Sequence, residues 1–395
     1  MTNRENEIAA LFHRAAEAAA RFRADIGTRA QRPEIDYAEA LRRFDAPTPE
    51  TGMAADAVLD ELIERATPGL GAMTGPRFFG WVIGNSHPVG VAADTLVAAW
   101  GQNVGNHTAS PSASAAETVS ARWLLDLFDL PRTCSVGFVT GATIANFVGL
   151  AAARDAVLRR LAWDVETKGL YGAPPITVLI GQDAHITVFS GLQFLGLGRE
   201  RVVRVATDRQ GRLVPSAFEA ALARADGPTI AILQAGQIST GAFDPFAALV
   251  PMAKSRGAWV HVDGAFGLWA RVSPNHAHLA AGIEASDSWA TDGHKWLQTP
   301  YDIGYAIVRD TEAHRRAMTI AASYLPTASD DERDPSHLVP ELSRRARGFP
   351  TWALLKHFGR RGIADMIVQH CRLAELFAAR LGTASPGSRF STTLC

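Results

Sequence analysis

Short strand-like runs alternate with longer helical segments through the middle of the chain, from about Val136 onward. The strand-like runs are rich in β-branched and apolar residues and read VGFVT, ITVLIG, RVVRVA, TIAILQA and AWVHVDG. Segments with helical periodicity, such as PSAFEAALARA and FAALVPMAKSRG, lie between them. Apolar strands that alternate with helices are typical of βαβ units. The pattern therefore predicts an α/β fold whose mostly parallel sheet is buried between helices.

The two ends of the chain differ from this middle part. Residues 1–75 have mainly helical periodicity, with a break at the proline- and threonine-rich DAPTPETG. Residues 76–315 hold the alternating pattern and are predicted to form one large domain. Residues 316–395 are predicted to form a small C-terminal domain, in which LPTASDDERDPSHLVP is typical of a long loop.

Polar and glycine-rich segments follow the predicted strands. They read GATIAN, QDAH, GQIST and DGAFG, and DGHKW follows the half-apolar run SDSWA. Ligands of parallel α/β sheets bind at the carboxyl ends of the strands. These loops are therefore the predicted site.

Lys295 stands between a histidine and a tryptophan in TDGHKWL. A lysine amine reacts with an aldehyde only when its neutral form is accessible, which partial shielding by His294 and Trp296 would favour. Asp263 closes the strand AWVHVDG, 32 residues earlier, and a buried carboxylate requires a cationic partner. The pair suits a pyridoxal cofactor, whose aldehyde needs a lysine and whose ring nitrogen needs an acid. A surface lysine and an Asx turn at Asp263 remain the alternatives.

Two further features favour the same site. In GFVTGATIANF a strand passes through Gly141 into a helix, whose first amide groups would accept a phosphate. His185 follows the strand ITVLIG and could stack on a cofactor ring. A helix cap by Thr143 and a surface histidine are the alternatives.

The order GFVTGATIAN, QDAH, HVDGAFG and TDGHKW resembles the group II pyridoxal-phosphate-dependent decarboxylases, which act on aromatic amino acids, histidine, glutamate and diaminobutyrate. The resemblance runs from PRFFGWV to ARGFPTW and implies the fold type I architecture of the aspartate-aminotransferase superfamily. It also implies pyridoxal 5′-phosphate as cofactor, a homodimer with active sites at the subunit interface, and decarboxylation of an L-amino acid to an amine and carbon dioxide.

By this resemblance Lys295 forms the Schiff base, Asp263 pairs with the pyridine nitrogen and His185 stacks on the ring. Ala265 is the small residue packed by the ring, and His294 lies beside the phosphate. The catalytic positions are Lys295, Asp263 and His185. The cofactor-binding positions are Gly141, Ala142, Thr143, His185, Asp263, Ala265, His294 and Lys295. The segment SPSASAAE, residues 110–117, resembles one that borders the substrate pocket.

Relatives carry a loop tyrosine that returns a proton after carbon dioxide has left. The segment ASDDERDPSHLVPELSRRARG contains no tyrosine; Pro335 falls near the expected position, and His337 is the nearest proton donor. Aldehyde formation, retro-aldol cleavage and transamination therefore stay open beside decarboxylation, because the pocket selects among the reactions that the cofactor permits. A protein that binds the cofactor without turnover is a third alternative.

Composition excludes several other classes of protein. The net charge of −1 offers no field that would concentrate nucleic acid, and three scattered cysteines make neither a disulfide framework nor a paired-cysteine metal site. No run approaches the length of about 18 apolar residues that a membrane span needs, and the N-terminus lacks a secretory core. A soluble, cytoplasmic protein is expected.

The substrate is not readable from the sequence. Phe78, Phe79 and Trp81 could face an aromatic side chain, although core packing is the commoner role for such residues. Arg345 and Arg347 could bind an acidic group or stay solvated. The last residues, RFSTTLC, lack the strand that the family has here, and with suitable codons a two-base frameshift gives ILNDVV. A frameshifted end and an incomplete C-terminal domain are therefore expected.

Overall fold

The computed structural model describes residues 3–319 and 333–384. The terminal RFSTTLC and the first part of the predicted long loop lie outside the described residues. Within the chain, contacts divide into two compact units, residues 1–83 and residues 84–395. The predicted boundaries at residues 75 and 315 stay predictions.

The first unit is helical, in agreement with the sequence pattern. Its helices are α1 (Asn3–Ala24), α2 (Tyr37–Phe44) and α3 (Ala55–Ala66). Helix α2 begins after Asp36, whose carboxylate accepts the backbone N–H of Glu39 at 2.8 Å. An aspartate at this position satisfies an amide that the helix leaves unpaired. The break DAPTPETG separates α2 from α3.

The second unit contains the alternating strands and helices. Its helices are α4 (Pro88–Trp100), α5 (Pro111–Phe128), α6 (Ala142–Arg159), α7 (Val165–Lys168), α8 (Ile186–Phe194), α9 (Pro215–Ala223), α10 (Phe246–Ser255), α11 (Thr311–Met318) and α12 (Gly348–Ala384). Its strands are β1 (Ser135–Val139), β2 (Thr177–Gly181), β3 (Val203–Val205), β4 (Thr229–Gln234), β5 (Trp259–Asp263), β6 (Ser288–Asp292) and β7 (Gly304–Val308). Helix α12 turns at Gly359, where φ is 61°, and it packs on α4 and α5.

The seven strands form one sheet in the order β1-β7-β6-β5-β4-β2-β3. The five neighbours from β6 to β3 pair in parallel, as the pattern predicts. Strand β7, with the sequence GYAIV, was not predicted, and it pairs antiparallel with both β1 and β6. It follows β6 without a helix between them, so the βαβ pattern could not reveal it.

Two apolar clusters cover the two faces of the sheet. On the α6 face, a buried polar contact links the helix to the strands: His261 lies 2.8 Å from Ser288 Oγ and 2.9 Å from Asn146 Oδ1. Burial lowers the pKa of His261 to about 3, so the ring is neutral there. This contact fixes α6 on strands β5 and β6.

No helix among the described residues is long and apolar enough to cross a membrane.

Candidate active site

Strands β5 and β6 are parallel neighbours, and each ends in an aspartate. Asp263 ends β5 and exposes only 5% of its surface. Its Oδ1 accepts the backbone N–H of Ala265 at 3.2 Å, which is the Asx turn named as an alternative. The other oxygen, Oδ2, meets no hydrogen-bond donor among residues 3–319 and 333–384, so the turn leaves half of the carboxylate available.

The electrostatic surroundings of Asp263 include two of the predicted partners. Burial raises the pKa of Asp263, and the positive charges of Lys295 and His185 oppose that rise. The carboxylate of Asp292 acts in the same direction as burial. The tertiary structure therefore brings Lys295, His185 and Asp263 within electrostatic range at one edge of the sheet.

Lys295 lies in the loop that follows β6. Its Nζ is 3.2 Å from Asp292 Oδ2 and 5.6 Å from the centre of the Phe266 ring, and 19% of the side chain is exposed. Phe266 in turn lies against Gly236, where an added Cβ would come within 2.5 Å of the ring. The amine is half-buried beside a carboxylate and an aromatic ring, which is the shielded setting that the sequence predicts.

The predicted shield by Trp296 is wrong. Its ring packs on that of His370 in α12, with 5.5 Å between the centroids. Phe266, from the DGAFG segment, contacts Lys295 instead, because only the tertiary fold brings the loop after β5 beside the loop after β6.

Asp292 is the residue of the site that sequence analysis missed. It ends β6, exposes 3% of its surface, and its Oδ1 accepts the backbone N–H of Ala142 at 2.6 Å. The same oxygen is 3.4 Å from His294 Nε2. Its place three residues before Lys295 in TDGHKW was a usable signal, because a strand-end carboxylate beside a lysine is a natural ion pair.

The predicted phosphate loop starts helix α6 at Ala142. Gly141 precedes it, and a Cβ at this position would lie 3.0 Å from His294 Cε1 and 3.1 Å from Asp292 Oδ1. Thr143 is the second residue of the helix and is half-buried. The residue before the helix is Gly141, which has no side chain that could cap the helix. The carboxylate of Asp292 accepts the first amide N–H of the helix, a role that the sequence had left open for Thr143.

His294 and His185 hold their rings by different contacts. His294 Nδ1 accepts the backbone N–H of Ile303 at 3.4 Å, and its ring lies 4.6 Å from that of Tyr301. Burial lowers the pKa of His294. The carboxylate of Asp292 opposes this shift, and the positive charge of Lys295 adds to it. His185 precedes α8, and its Nδ1 is 2.8 Å from Thr187 Oγ1.

Ala265 connects the two strand ends. Its N–H binds Asp263, and its carbonyl accepts the N–H of Asp292 at 2.8 Å. The eight predicted cofactor positions thus lie on the ends of β1, β5 and β6 and on the segment before α8.

Several other predicted residues have partners of their own. Arg345 pairs with Asp94, and Arg347 Nη2 is 3.1 Å from Asp302 Oδ1, so neither arginine stays simply solvated. Phe79 and Trp81 expose 78% and 77% of their surfaces, so core packing does not describe these two.

Pro335 and His337, the residues near the position expected for the loop tyrosine, lie apart from the eight cofactor positions. Pro335 begins a short 3₁₀ helix, and His337 Nε2 is 4.0 Å from Asp334 Oδ2. His337 borders a cavity of about 330 Å³ whose lining includes Arg315 and Arg333 and none of the eight cofactor positions.

In the SPSASAAE segment, Glu117 is fully buried. Its Oε1 lies 2.8 Å from Arg344 Nη1. The role of this segment at a substrate pocket stays a prediction.

The fold and the site together define an α/β protein with a lysine and a buried acid at the ends of adjacent parallel strands. The sequence model described as "Pyridoxal-dependent decarboxylase conserved domain" matches residues 38–390. The chain belongs to this family.

Relatives agree with this membership. The chain is 28% identical to an aromatic-L-amino-acid decarboxylase of Bacillus atrophaeus over 78% of this chain and 64% of that protein. It is 29% identical to a phenylacetaldehyde synthase of Arabidopsis thaliana over 86% of this chain and 71% of the relative. The chain thus spans less than two thirds of the Bacillus relative's length.

A solved structure gives the same fold. The crystal structure of Oryza sativa TDC with PLP and tryptamine superposes with a TM-score of 0.87 at 24% identity, covering 95% of this chain and 79% of that one. These comparisons confirm the predicted family, the fold class and the pyridoxal cofactor that the family's description names.

The residues present fit this cofactor at its ring end. The buried carboxylate of Asp263 is an acceptor suited to a protonated ring nitrogen, and Lys295 Nζ is a partly shielded amine on the same sheet edge. At the other end, the first amide of α6 already holds the carboxylate of Asp292.

Proposed function

We propose that this protein binds pyridoxal phosphate through Lys295 and releases carbon dioxide from an L-amino acid, leaving the amine. The observation that carries the proposal is the convergence of Lys295, Asp263 and His185 at the strand ends. Membership of the decarboxylase family supports it independently.

When bound, the cofactor supplies an electron-poor ring that accepts the electron pair left by the departing carboxylate. Asp263 keeps the ring nitrogen protonated, because its buried carboxylate has one oxygen free to accept a hydrogen bond. Lys295 would hold the cofactor through its aldehyde group. His185 would support one face of the ring, and the α6 amides after Gly141, with His294 beside them, would hold the phosphate.

The residue assignment is tested with Lys295→Ala. The wild-type protein incubated with pyridoxal phosphate is expected to absorb near the edge of the visible range, and borohydride is expected to remove that band. The variant should lack the band and release no carbon dioxide. A variant that keeps both properties would contradict the assignment.

Aromatic L-amino acids are the first substrates to screen. The Bacillus relative is named for this substrate class, and the Arabidopsis relative is named for an aromatic aldehyde. The screen measures carbon dioxide release by the cofactor-loaded protein from individual amino acids. Release from aliphatic or acidic amino acids alone would contradict the aromatic choice.

Aldehyde formation is the second candidate reaction. It is favoured by the 29% identity to the Arabidopsis phenylacetaldehyde synthase. Chromatography of the products distinguishes the two reactions, because a decarboxylase yields the amine and an aldehyde synthase the aldehyde. A protein that shows the absorbance band with no product would support cofactor binding without turnover.

A homodimer with the active site at the subunit interface, in the cytoplasm, completes the proposal. The family resemblance supports the dimer. Light scattering of the purified protein measures its mass in solution, and the mass of a single 42.3 kDa chain would contradict the dimer.

A further inference from the structure

A carboxylate of the protein itself, that of Asp292, already lies at the start of helix α6. Asp292 is 3% exposed, and its Oδ1 accepts the Ala142 N–H at 2.6 Å. Helix N-termini attract negative charge through their unpaired amides and the helix dipole, which is why they bind phosphates. Here the carboxylate occupies the first of these amides.

The surroundings of this carboxylate hold it in place. Lys295 Nζ lies 3.2 Å from Oδ2, and His294 Nε2 lies 3.4 Å from Oδ1. Gly141 leaves room for the contact, since a Cβ there would be 3.1 Å from Oδ1. The other titratable groups that face Asp292 are Asp263 on β5, Tyr301 in the loop before β7 and Tyr305 on β7.

We propose that Asp292 is a resident anion of the cofactor's phosphate subsite, so that phosphate binding competes with its charge and loading of the cofactor takes up a proton from solvent. This inference rests on the proposed function, because it places the phosphate at the start of α6.

The reason is electrostatic. A phosphate monoester carries about 1.5 to 2 negative charges at pH 7. Two anions at one helix N-terminus repel each other unless one of them carries a proton. Lys295, the nearest cation to Asp292, is at the same time engaged by the aldehyde. The carboxylate therefore stabilises the cofactor-free protein and weakens binding of the phosphorylated cofactor at high pH.

Asp292→Asn separates the charge from the hydrogen bond. The amide oxygen of asparagine still accepts the Ala142 N–H, and the side chain carries no charge. We expect the variant to bind pyridoxal phosphate about tenfold more tightly than the wild type at pH 8.5, with a smaller difference at pH 6.5. Pyridoxal, which lacks the phosphate, should bind both proteins equally.

The experiment titrates cofactor-free wild-type and variant proteins with pyridoxal phosphate and with pyridoxal, and follows absorbance at both pH values. Asp310→Asn is the matched control, because Asp310 likewise caps a helix, accepting the N–H of Ala313 at 2.9 Å in α11. Calorimetry in two buffers of different ionisation enthalpy measures the proton uptake, which should be smaller in Asp292→Asn alone.

The proposal is overturned if Asp292→Asn binds pyridoxal phosphate no more tightly than the wild type, or if pyridoxal binding changes equally. Loss of both ligands in the variant would also overturn it, because the negative charge would then be required rather than competing.

A readout without cofactor keeps this inference separate from the proposed function. Inorganic phosphate should raise the melting temperature of Asp292→Asn more than that of the wild type, and equal shifts would contradict a resident anion. A wild-type protein that binds no pyridoxal phosphate would instead refute the proposed function.

Discussion

At the scale of single residues, the chemistry of the site depends on burial of groups that water would otherwise neutralise. Asp263 is 5% exposed and has a raised pKa, yet Lys295 and His185 oppose that rise. A carboxylate in such a place is costly without a cation, so a positively charged ring nitrogen at Oδ2 would stabilise it. The same residue types on the surface would have little effect on a ligand.

Asp263→Asn tests this role. Asparagine preserves the size of the side chain and the bond from Ala265, but it removes the charge that keeps the ring nitrogen protonated. The rate of carbon dioxide release is expected to fall about 100-fold or more, with the absorbance band still present. An unchanged rate in protein shown to be loaded would contradict the role of Asp263.

At the scale of elements, the site lies where the ends of two strands come close to the start of one helix. Strands β5 and β6 deliver Asp263 and Asp292 side by side because they are parallel and adjacent. Gly141 follows β1, and in the sheet only β7 separates β1 from β6. Helix α6 starts after Gly141 and contacts both β7 and β6, so its start lies close to Asp292 at the end of β6. The close approach requires that position 141 carry no side chain.

Gly141→Ala is expected to displace the start of α6. The added methyl group would lie 3.0 Å from His294 and 3.1 Å from Asp292, both of which are held by other contacts. Such crowding typically costs about 1 to 3 kcal/mol of stability. Affinity for pyridoxal phosphate, measured by absorbance titration, should fall at least tenfold.

Gly52→Ala provides the comparison for Gly141→Ala, because nothing lies within 4 Å of a Cβ at Gly52. Equal cofactor affinity in both variants would mean that the helix start tolerates the methyl group.

At the scale of the whole molecule, ionisable groups that folding partly removes from water make stability depend on pH. Burial, with the hydrogen-bonded carboxyl of Asp155, raises the pKa of Glu166 from 4.5 to about 7. The unfolded chain releases this proton near pH 4.5, so between pH 4.5 and 7 the folded state binds more protons. Glu166 therefore makes the free energy of unfolding fall as pH rises through this window.

Glu166→Gln should remove this part of the pH dependence. The free energy of unfolding of the variant, compared with that of the wild type, is expected to rise by on the order of 1 kcal/mol when the pH is raised from 4.5 to 7.5. Melting temperatures at the two pH values measure the gain, and the exposed Glu219→Gln should show none. Asp244, whose pKa burial also raises to about 7, is unchanged in both variants. A difference in melting temperature between Glu166→Gln and wild type that is the same at both pH values would contradict the assignment of this pH dependence to Glu166.

The sequence alone determined the α/β class and the five strands and interleaved helices that the pattern named, because the apolar periodicity of each element is local. It also determined the lysine and the acid at strand ends, since each stands directly after an apolar run. Only the tertiary structure decided which strands are neighbours, and so it alone placed Asp292 on the first amide of α6 and Phe266 rather than Trp296 beside Lys295. Strand β7 belongs to this second group, because it has no helix of its own and falls outside the alternating pattern of strands and helices. Contacts between residues 150 positions apart, such as Ala142 and Asp292, follow from strand order, which is a property of the whole chain.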